Sequence, residues 1–362
     1  PGLPLPLRLL SLGRHTPAVR VTSAELDQRY ARTPGTTQAR SGVSVRQWVG
    51  PDDSSVSMAA AALDQALRRA GLVIDDLDAL IVAAVAPEQP MPTTAVLVAR
   101  RLGAADGALQ AFDVNASCLG FLTGVQQAAF GIGAGMWHRV GVVAVDVASK
   151  GLNHADLESS ALFGDGAAAA VVGPAEQGSS LLSLRLRTYP SAAQLCRIPA
   201  GGTRWNTVTP PPEASDYLFA MDGLGMMKLV ARAMPAFLAE TLDEAGVTLD
   251  EVAVVVPHQA SALGLRFLRE RLGVRPESVV DLLAERGNQV SASMPTALAA
   301  AVETGRLRRG DLALLHRYRC GPDVRCRSAE VLGGPMDSAA ADPTCSQPGG
   351  LDRLDQRTVG SG

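Results

Sequence analysis

Near-continuous apolar strands alternate with amphipathic helices along most of this chain, and the alternation restricts the folds open to it. The predicted strands of the first half read as buried on both faces and span 78–87, 109–117, 139–149 and 163–173. The helices predicted by a 3.6-residue apolar period span 57–70, 93–104 and 118–136. Strands of this kind need a layer of helices on each face of their sheet, so the sequence predicts an α/β fold.

The same order of elements recurs in the second half of the chain. A helix ends before the Gly of EAGVTLDEV just as one ends before the Gly of AGLVIDDLD, and VAVVVP then follows as a strand, as DALIVAAVAP does. The elements predicted here are helices 224–245, 261–272 and 291–305 and strands 252–257, 278–283 and 312–316. Matching halves of roughly 150 residues indicate a duplicated unit. The join lies near 174–182, and 190–216 reads as an irregular surface excursion.

Composition narrows the function classes. Hydrophobic residues make up 47% of the 362 and aromatic residues only 4%, and Lys plus Arg number 33 against 36 Asp plus Glu. This balance disfavours a nucleic-acid partner. No apolar run reaches the roughly 18–20 residues of a membrane span, and the first residues lack a signal-peptide cleavage pattern. The five cysteines form no CxxC pair, which favours a reduced, cytoplasmic protein.

Three short segments carry candidate chemistry. Cys118, in AFDVNASCLGFLTGVQQAAF, stands where a strand gives way to a helix, and a helix N-terminus stabilises a thiolate. His258 follows a buried strand and a Pro, and Asn288 follows Gly287 in a tight turn. Alone, each is more often structural: a packed thiol, a hydrogen-bonded histidine and an ordinary turn. Together they occupy strand-to-helix junctions in both halves, which a duplicated unit could bring to one pocket.

With these segments in place, the sequence resembles the thiolase-fold condensing enzymes, specifically the ketoacyl synthase III type. The matching motifs are RSGVSVR (40–46), DVNASCLGF (113–121), FGDGAAAAVV (163–172), MDGLGMMKLV (221–230), PHQAS (257–261) and GNQVSASMPTAL (287–298). The resemblance implies duplicated βαβαβαββ halves, 1–175 and 176–316, in a five-layer α-β-α-β-α arrangement. It implies no cofactor and no metal.

The resemblance also implies a mechanism. Cys118 would take the acyl group from an acyl thioester, and His258 and Asn288 would donate hydrogen bonds to the carbonyl of a malonyl thioester. Decarboxylation would then give an enolate that attacks the acyl group, as in fatty acid or polyketide biosynthesis. The family implies a homodimer, in which the loop PEQPMPTT (87–94) reaches the neighbouring acyl pocket and Met91 limits its length.

Several positions depart from the family pattern. Thr36, Leu157 and Leu224 stand where members that use coenzyme A commonly carry Trp, Arg and Asn, whereas Arg40 and Lys228 match as substrate-binding residues. This combination favours an acyl carrier protein over coenzyme A as the donor. Two alternatives stay open: an acyltransferase acting on a hydroxyl or amine acceptor, and an inactive, frameshifted product.

The alternative of an inactive, frameshifted product is suggested by the sequence of residues 317–362. After LALL the family continues into a glycine loop and a core strand, but this chain reads HRYRCGPDVRC, without periodicity. A metal site from His316, Cys320 and Cys326 fits no usual zinc spacing. Written with permitted codons and shifted by one nucleotide, the same text becomes Thr-Gly-Thr-Gly-Ala-Gly-Leu-Thr-Phe-Gly-Ala. We therefore expect an out-of-frame, largely disordered tail.

This expectation is tested at the level of the gene. Resequencing across the codons for residues 305–335 should find one extra or missing nucleotide whose correction restores the glycine loop. An unchanged reading would mean that the chain ends as written, and a poorly folded or weakly active protein is then expected.

Overall fold

The computed structural model describes residue 5, residues 7–175 and 181–316, and the backbone of 325–327. The strands of the first half are β1 (Leu7–His15), β2 (Val19–Thr22), β3 (Val45–Trp48), β4 (Ala79–Ala83), β5 (Gln110–Val114), β6 (Val140–Asp146) and β7 (Gly166–Pro174). Its helices are α1 (Ser23–Arg29), α2 (Thr36–Ser41), α3 (Ser55–Ala70), α4 (Thr94–Arg101), α5 (Gly120–Gly133) and α6 (Leu157–Ser160).

The second half has fewer paired strands among the described residues. Its strands are β8 (Arg185–Arg187), β9 (Cys196–Arg197), β10 (Ala220–Met221), β11 (Val252–Pro257), β12 (Leu312–His316) and β13 (Arg325–Arg327). Its helices are α7 (Gly223–Ala245), α8 (Ala262–Arg271), α9 (Leu283–Arg286) and α10 (Ser293–Glu303). Short 3₁₀ turns cover Ile74–Asp76, Ala148–Gly151, Pro190–Leu195, Ala214–Tyr217, Leu249–Glu251, Pro276–Ser278 and Val290–Ala292.

The first sheet has the order β1-β7-β6-β4-β5. β4 is parallel to both β5 and β6, so the carboxyl ends of these three strands meet at one edge, with Ala83 beside Val114 and Ala144. β7 runs antiparallel to β6 and to β1. In the second half β11 and β12 are parallel and Pro257 lies beside His316, so their carboxyl ends also meet. β2 pairs with β3, β9 with β10, and β8 with β13, each antiparallel.

The side chains sort into layers. α3 and α4 pack on the outer face of the first sheet, and α5 and α10 lie in one apolar cluster between that sheet and β11–β12. Successive residues of β11 and β12 alternate, with Val254 and Leu315 facing this central layer and Val255 and Leu314 facing α7 and α8. The five layers are therefore α-β-α-β-α, and the α/β thiolase-like fold that the resemblance implied is confirmed.

Most predicted elements are found within a few residues of their expected ends. α3 ends at Gly71, which adopts a left-handed conformation with φ of 68°, and α7 ends in the same way at Gly246 with φ of 69°. The strand predicted over 278–283 is instead a single parallel bridge between Val255 and Val279, followed by α9. The out-of-frame tail predicted over 317–362 lies outside the described residues, apart from the β13 backbone.

Candidate active site

Cys118 belongs to a tight turn at the carboxyl edge of the first sheet. The helix predicted over 118–136 begins only at Gly120, so Cys118 precedes it and is partly buried. Asn115 closes this turn: its Oδ1 accepts the Ser117 N–H at 3.0 Å, and its Nδ2 donates to the Val85 carbonyl at 3.0 Å. Residues 115–118 are called the nucleophile turn below.

The start of α5 lies unusually close to its neighbours. A Cβ built on Gly120 would come within 2.7 Å of the Ala83 Cβ and 3.7 Å of the Ser291 Cβ, and one on Gly124 would come within 2.7 Å of a Val142 methyl group. Only glycine permits this approach at both positions. Because Ser291 belongs to the second half of the chain, the nucleophile turn lies beside the segment that carries Asn288.

Asn288 stands in a second tight turn, residues 287–291, called the amide turn below. Gly287 has φ of 65° and ψ of −166°, a conformation open essentially to glycine, and a Cβ there would lie 2.6 Å from the Leu162 carbonyl oxygen. The Asn288 N–H donates to Leu162 at 2.9 Å, and its carbonyl accepts the Gly164 N–H at 3.1 Å. The turn is thereby fixed to the segment between α6 and β7.

The Asn288 side chain is oriented by two donors. Its Oδ1 accepts the Val290 N–H at 2.9 Å and the Ser293 hydroxyl at 3.2 Å. An amide whose oxygen is held in this way presents its NH₂ group as the donor. Asn288 is 1% exposed, so a hydrogen bond to a substrate oxygen here would be shielded from water.

His258 follows β11 at the carboxyl edge of the second sheet and is fully buried. Its backbone N–H donates to the His316 carbonyl at 2.7 Å, which fixes the end of β11 against the end of β12. Ala260, two residues later, packs in the same apolar cluster as Leu162, the acceptor of the Asn288 N–H. The segments that carry His258 and Asn288 therefore border the same apolar cluster.

Two non-glycine residues of these turns have positive φ. Ser117 has φ of 50° and Val290 has φ of 53°. A non-glycine residue in this region costs about 1–3 kcal/mol and persists only when its surroundings enforce it, and the β-branched Val290 is a steric outlier there. Ser117 and Val290 each lie within two residues of a candidate catalytic side chain, Cys118 or Asn288.

A cavity of about 350 Å³ lies near these segments, although Cys118, His258 and Asn288 do not themselves line it. Leu162 and Ser261 line it. The Leu162 carbonyl accepts the N–H of Asn288 in the amide turn, and Ser261 follows His258 by three residues. Arg40 and Glu158 are its charged lining residues, and most of the remaining lining is apolar or small, including Leu224.

The other two predicted substrate-binding residues lie away from this cavity. Lys228 is exposed on α7 and does not line it. Met91 is 85% exposed and contributes nothing to it within a single chain.

Sequence reasoning missed Asp146, the last residue of β6. Its Oδ1 accepts the Val85 N–H at 2.8 Å, while Oδ2 accepts the Ser291 N–H at 2.9 Å and the Ser291 hydroxyl at 2.5 Å. Burial raises the pKa of Asp146 to about 7; hydrogen bonds from Ser291 and Val85 oppose the rise, and the charge of Asp165 adds to it. The available signal was an acid ending the otherwise apolar run VGVVAVD (140–146).

Within the described part of the chain, no group of three His, Cys, Asp or Glu side chains could hold a metal ion. Cys320 and Cys326 of the weighed zinc site have no described side chains. The helices of the described ranges include none with the length and apolar character needed to span a membrane.

Comparison with known proteins agrees with this architecture. The C-terminal model of the family 3-oxoacyl-[acyl-carrier-protein] synthase III matches residues 242–321, and the model named for the whole synthase matches 112–190. A beta-ketoacyl-[acyl-carrier-protein] synthase III of Symbiobacterium thermophilum is 33% identical over 87% of this chain and 95% of its own. An acetoacetyl CoA synthase of a Streptomyces species is 33% identical over 87% and 95%.

A solved structure of the synthase III from Thermus thermophilus superposes with a TM-score of 0.81 at 30% identity, over 90% of this chain and 99% of that one. The layered fold, with candidate catalytic residues at strand-to-helix junctions in both halves of the chain, is that of a thiolase-like condensing enzyme, which is an acyltransferase. The chain belongs to the 3-oxoacyl-[acyl-carrier-protein] synthase III family.

The close approach at Gly120 gives a direct test of how Cys118 is placed. Gly120→Ala should push the start of α5 away from Ala83 and lower the rate of iodoacetamide labelling at Cys118 about tenfold, because a 1 Å shift of a reacting group has effects of this order or larger. Labelling is measured by the mass of the peptide that contains Cys118, because the chain has four other cysteines.

Gly124→Ala is the matched control, since its Cβ would meet Val142 equally closely one helical turn away. We expect it to lose similar stability, about 1–3 kcal/mol from overpacking, but to keep the labelling rate. Equal slowing in both variants would show that the start of α5 does not place the thiol.

Proposed function

We propose that Cys118, His258 and Asn288 carry out a two-stage condensation. The Cys118 thiolate attacks the carbonyl carbon of an acyl thioester, the carrier thiolate leaves, and the acyl group remains on the cysteine. A malonyl thioester then loses carbon dioxide, and the electron pair of the broken C–C bond forms an enolate. The enolate carbon attacks the acyl carbon, the bond to sulfur breaks, and a 3-ketoacyl thioester and a free Cys118 thiolate result.

The orientation of the Asn288 amide is the observation that carries this proposal. Its oxygen is occupied by Val290 and Ser293, so the NH₂ group is the part that can meet a carbonyl oxygen. A donor fixed before reaction loses no energy in reorienting when the enolate charge develops. The fully buried His258 supports the same role from the other sheet edge.

The cavity supports delivery of the acyl group by a carrier protein. Its two charged lining groups, Arg40 and Glu158, are opposite in sign, and Leu224 adds an apolar wall. A coenzyme A nucleotide carries several phosphate charges that this lining does not balance, whereas the arm of a carrier protein carries a single phosphodiester charge, which Arg40 alone can meet. The exposed Lys228 on α7 is suited to an acidic carrier surface outside the cavity.

A second copy of the chain accounts for the features at the first sheet's edge. β5 is the last strand of its sheet, so one side of its backbone is open to pairing. Met91 lies in the loop between β4 and α4 and is 85% exposed, so it is available for contact with a second copy. In the proposed homodimer, β5 meets its counterpart and Met91 limits the neighbour's acyl pocket.

The catalytic assignment predicts separable losses. Cys118→Ala should gain no acyl mass and release no carbon dioxide, whereas His258→Ala and Asn288→Ala should acylate but condense about 10²–10³-fold more slowly, the usual cost of losing an oxyanion donor. Intact-protein mass follows acylation from acyl-carrier-protein and acyl-coenzyme A donors, and released carbon dioxide follows condensation.

Cys196→Ala is the control, because this buried thiol packs in a separate apolar cluster. It should retain both half-reactions. If Cys118 acylates but malonyl thioester is never consumed, condensation is excluded. An ester or amide formed with hydroxyl or amine acceptors would then identify an acyltransferase.

The position of Met91 predicts a change in chain length. Met91→Trp should shorten the longest acyl chain loaded on Cys118, and Met91→Ala should lengthen it, as read from competing donors of different length. In a mixed dimer with a Cys118→Ala subunit, the active site of the Met91→Trp subunit receives a native Met91. That dimer should therefore regain the native length preference.

Met136→Trp alters another exposed methionine, beyond the far end of α5, and should leave the length preference unchanged. A mixed dimer that keeps the shortened preference would place Met91 in its own subunit's pocket instead.

A further inference from the structure

Asp146 bonds directly to the amide turn and, through Val85, to the nucleophile turn. One carboxyl oxygen accepts the Val85 N–H, and the Val85 carbonyl accepts Asn115 Nδ2 of the nucleophile turn. The other carboxyl oxygen accepts the N–H and the hydroxyl of Ser291 in the amide turn. A continuous hydrogen-bonded path therefore joins the two turns, and the buried carboxyl group stands at its centre.

We propose that Asp146 is a positioning residue for the condensation step, which holds the amide turn in register with the nucleophile turn. This role rests on the proposed function of those turns. Ser291, which Asp146 holds, also lies against the start of α5 at Gly120. A shift of Ser291 would therefore alter the spacing between the donor of Asn288 and the acylated thiol, without changing either catalytic group.

The geometry requires a carboxyl group rather than an amide at position 146. The oxygen facing Ser291 accepts a backbone N–H that cannot rotate away. In Asp146→Asn, an NH₂ group replaces one of the two carboxyl oxygens. This NH₂ group would then face either the Ser291 N–H or the Val85 N–H, and two donors cannot form a hydrogen bond with each other. The substitution keeps the shape of the side chain and breaks one of the two connections, at the cost of leaving a buried donor unsatisfied.

Asp165 offers a matched control. Its carboxyl group is as deeply buried, and burial likewise raises its pKa. It also accepts two backbone N–H groups and one serine hydroxyl, from Val49 and Ser149, neither of which belongs to the two turns. Gln289 of the amide turn also donates to Asp165, but to its backbone carbonyl, which Asp165→Asn leaves in place. The substitution should therefore cost comparable stability while keeping the amide turn held.

The two half-reactions are measured for both variants at a temperature where each is folded. Asp146→Asn should acylate Cys118 within about threefold of the wild-type rate but condense about 10²-fold more slowly, as when an oxyanion donor is misplaced. Asp165→Asn should keep both rates within about threefold. Ser291→Ala, which removes the hydroxyl and leaves the N–H, should slow condensation about tenfold and serves if Asp146→Asn does not fold.

Equal loss of condensation in Asp146→Asn and Asp165→Asn would overturn the proposal, as would native condensation in Ser291→Ala. Hydrogen exchange gives a readout that does not depend on the reaction. Exchange in the amide turn should rise in Asp146→Asn and Ser291→Ala relative to Asp165→Asn, and its absence also counts against the role. If wild-type protein acylates but never condenses, the proposed function fails, while exchange still tests the connection.

Discussion

The close packing of α5 against the first sheet is the constraint on which the site depends. Gly120 and Gly124, one helical turn apart, let the helix approach β4 and β6 more closely than any side chain would allow. α5 and α10 share one apolar cluster between the sheets, so the approach of α5 also fixes where the two halves of the chain meet. Cys118, just before α5, is thereby brought beside the segment that precedes α10.

Where the two halves of the chain meet, the backbone N–H and carbonyl groups of the turns still need hydrogen-bond partners. Parallel strands end together, so β4, β5 and β6 leave their last backbone groups at one edge of the sheet. The Asp146 side chain accepts the Val85 N–H, and the Asn115 side chain donates to the Val85 carbonyl. The Gln289 side chain donates to the Asp165 carbonyl at 2.9 Å. The contacts that satisfy these backbone groups therefore also hold the turns in place. Their free energy offsets the cost of the strained backbone at Ser117 and Val290.

The spacing of apolar residues and the glycines that end helices were enough to predict the layers and most helices and strands. This is because the residues that the fold buries are the ones that produce the apolar spacing in the sequence. The strand predicted over 278–283 was wrong, since a short apolar run does not reveal whether a partner strand lies alongside it. Cys118, His258 and Asn288 could be selected because each lies at a predicted strand-to-helix junction and within a motif of the family that the sequence resembles. Asp146 could not, because its partners lie 61 and 145 residues away along the chain, and sequence pattern carries no such distance.

The electrostatics of this edge are consistent with chemistry that creates a negative charge. A fully ionised carboxylate near the amide turn would repel an enolate forming there. Burial instead raises the pKa of Asp146 to about 7, which makes the neutral, protonated form accessible near neutral pH. In that state its O–H can donate to the Ser291 hydroxyl while both oxygens still accept backbone N–H groups. Asp146 can therefore hold the turn without a permanent charge, and neutral donors remain to meet the enolate.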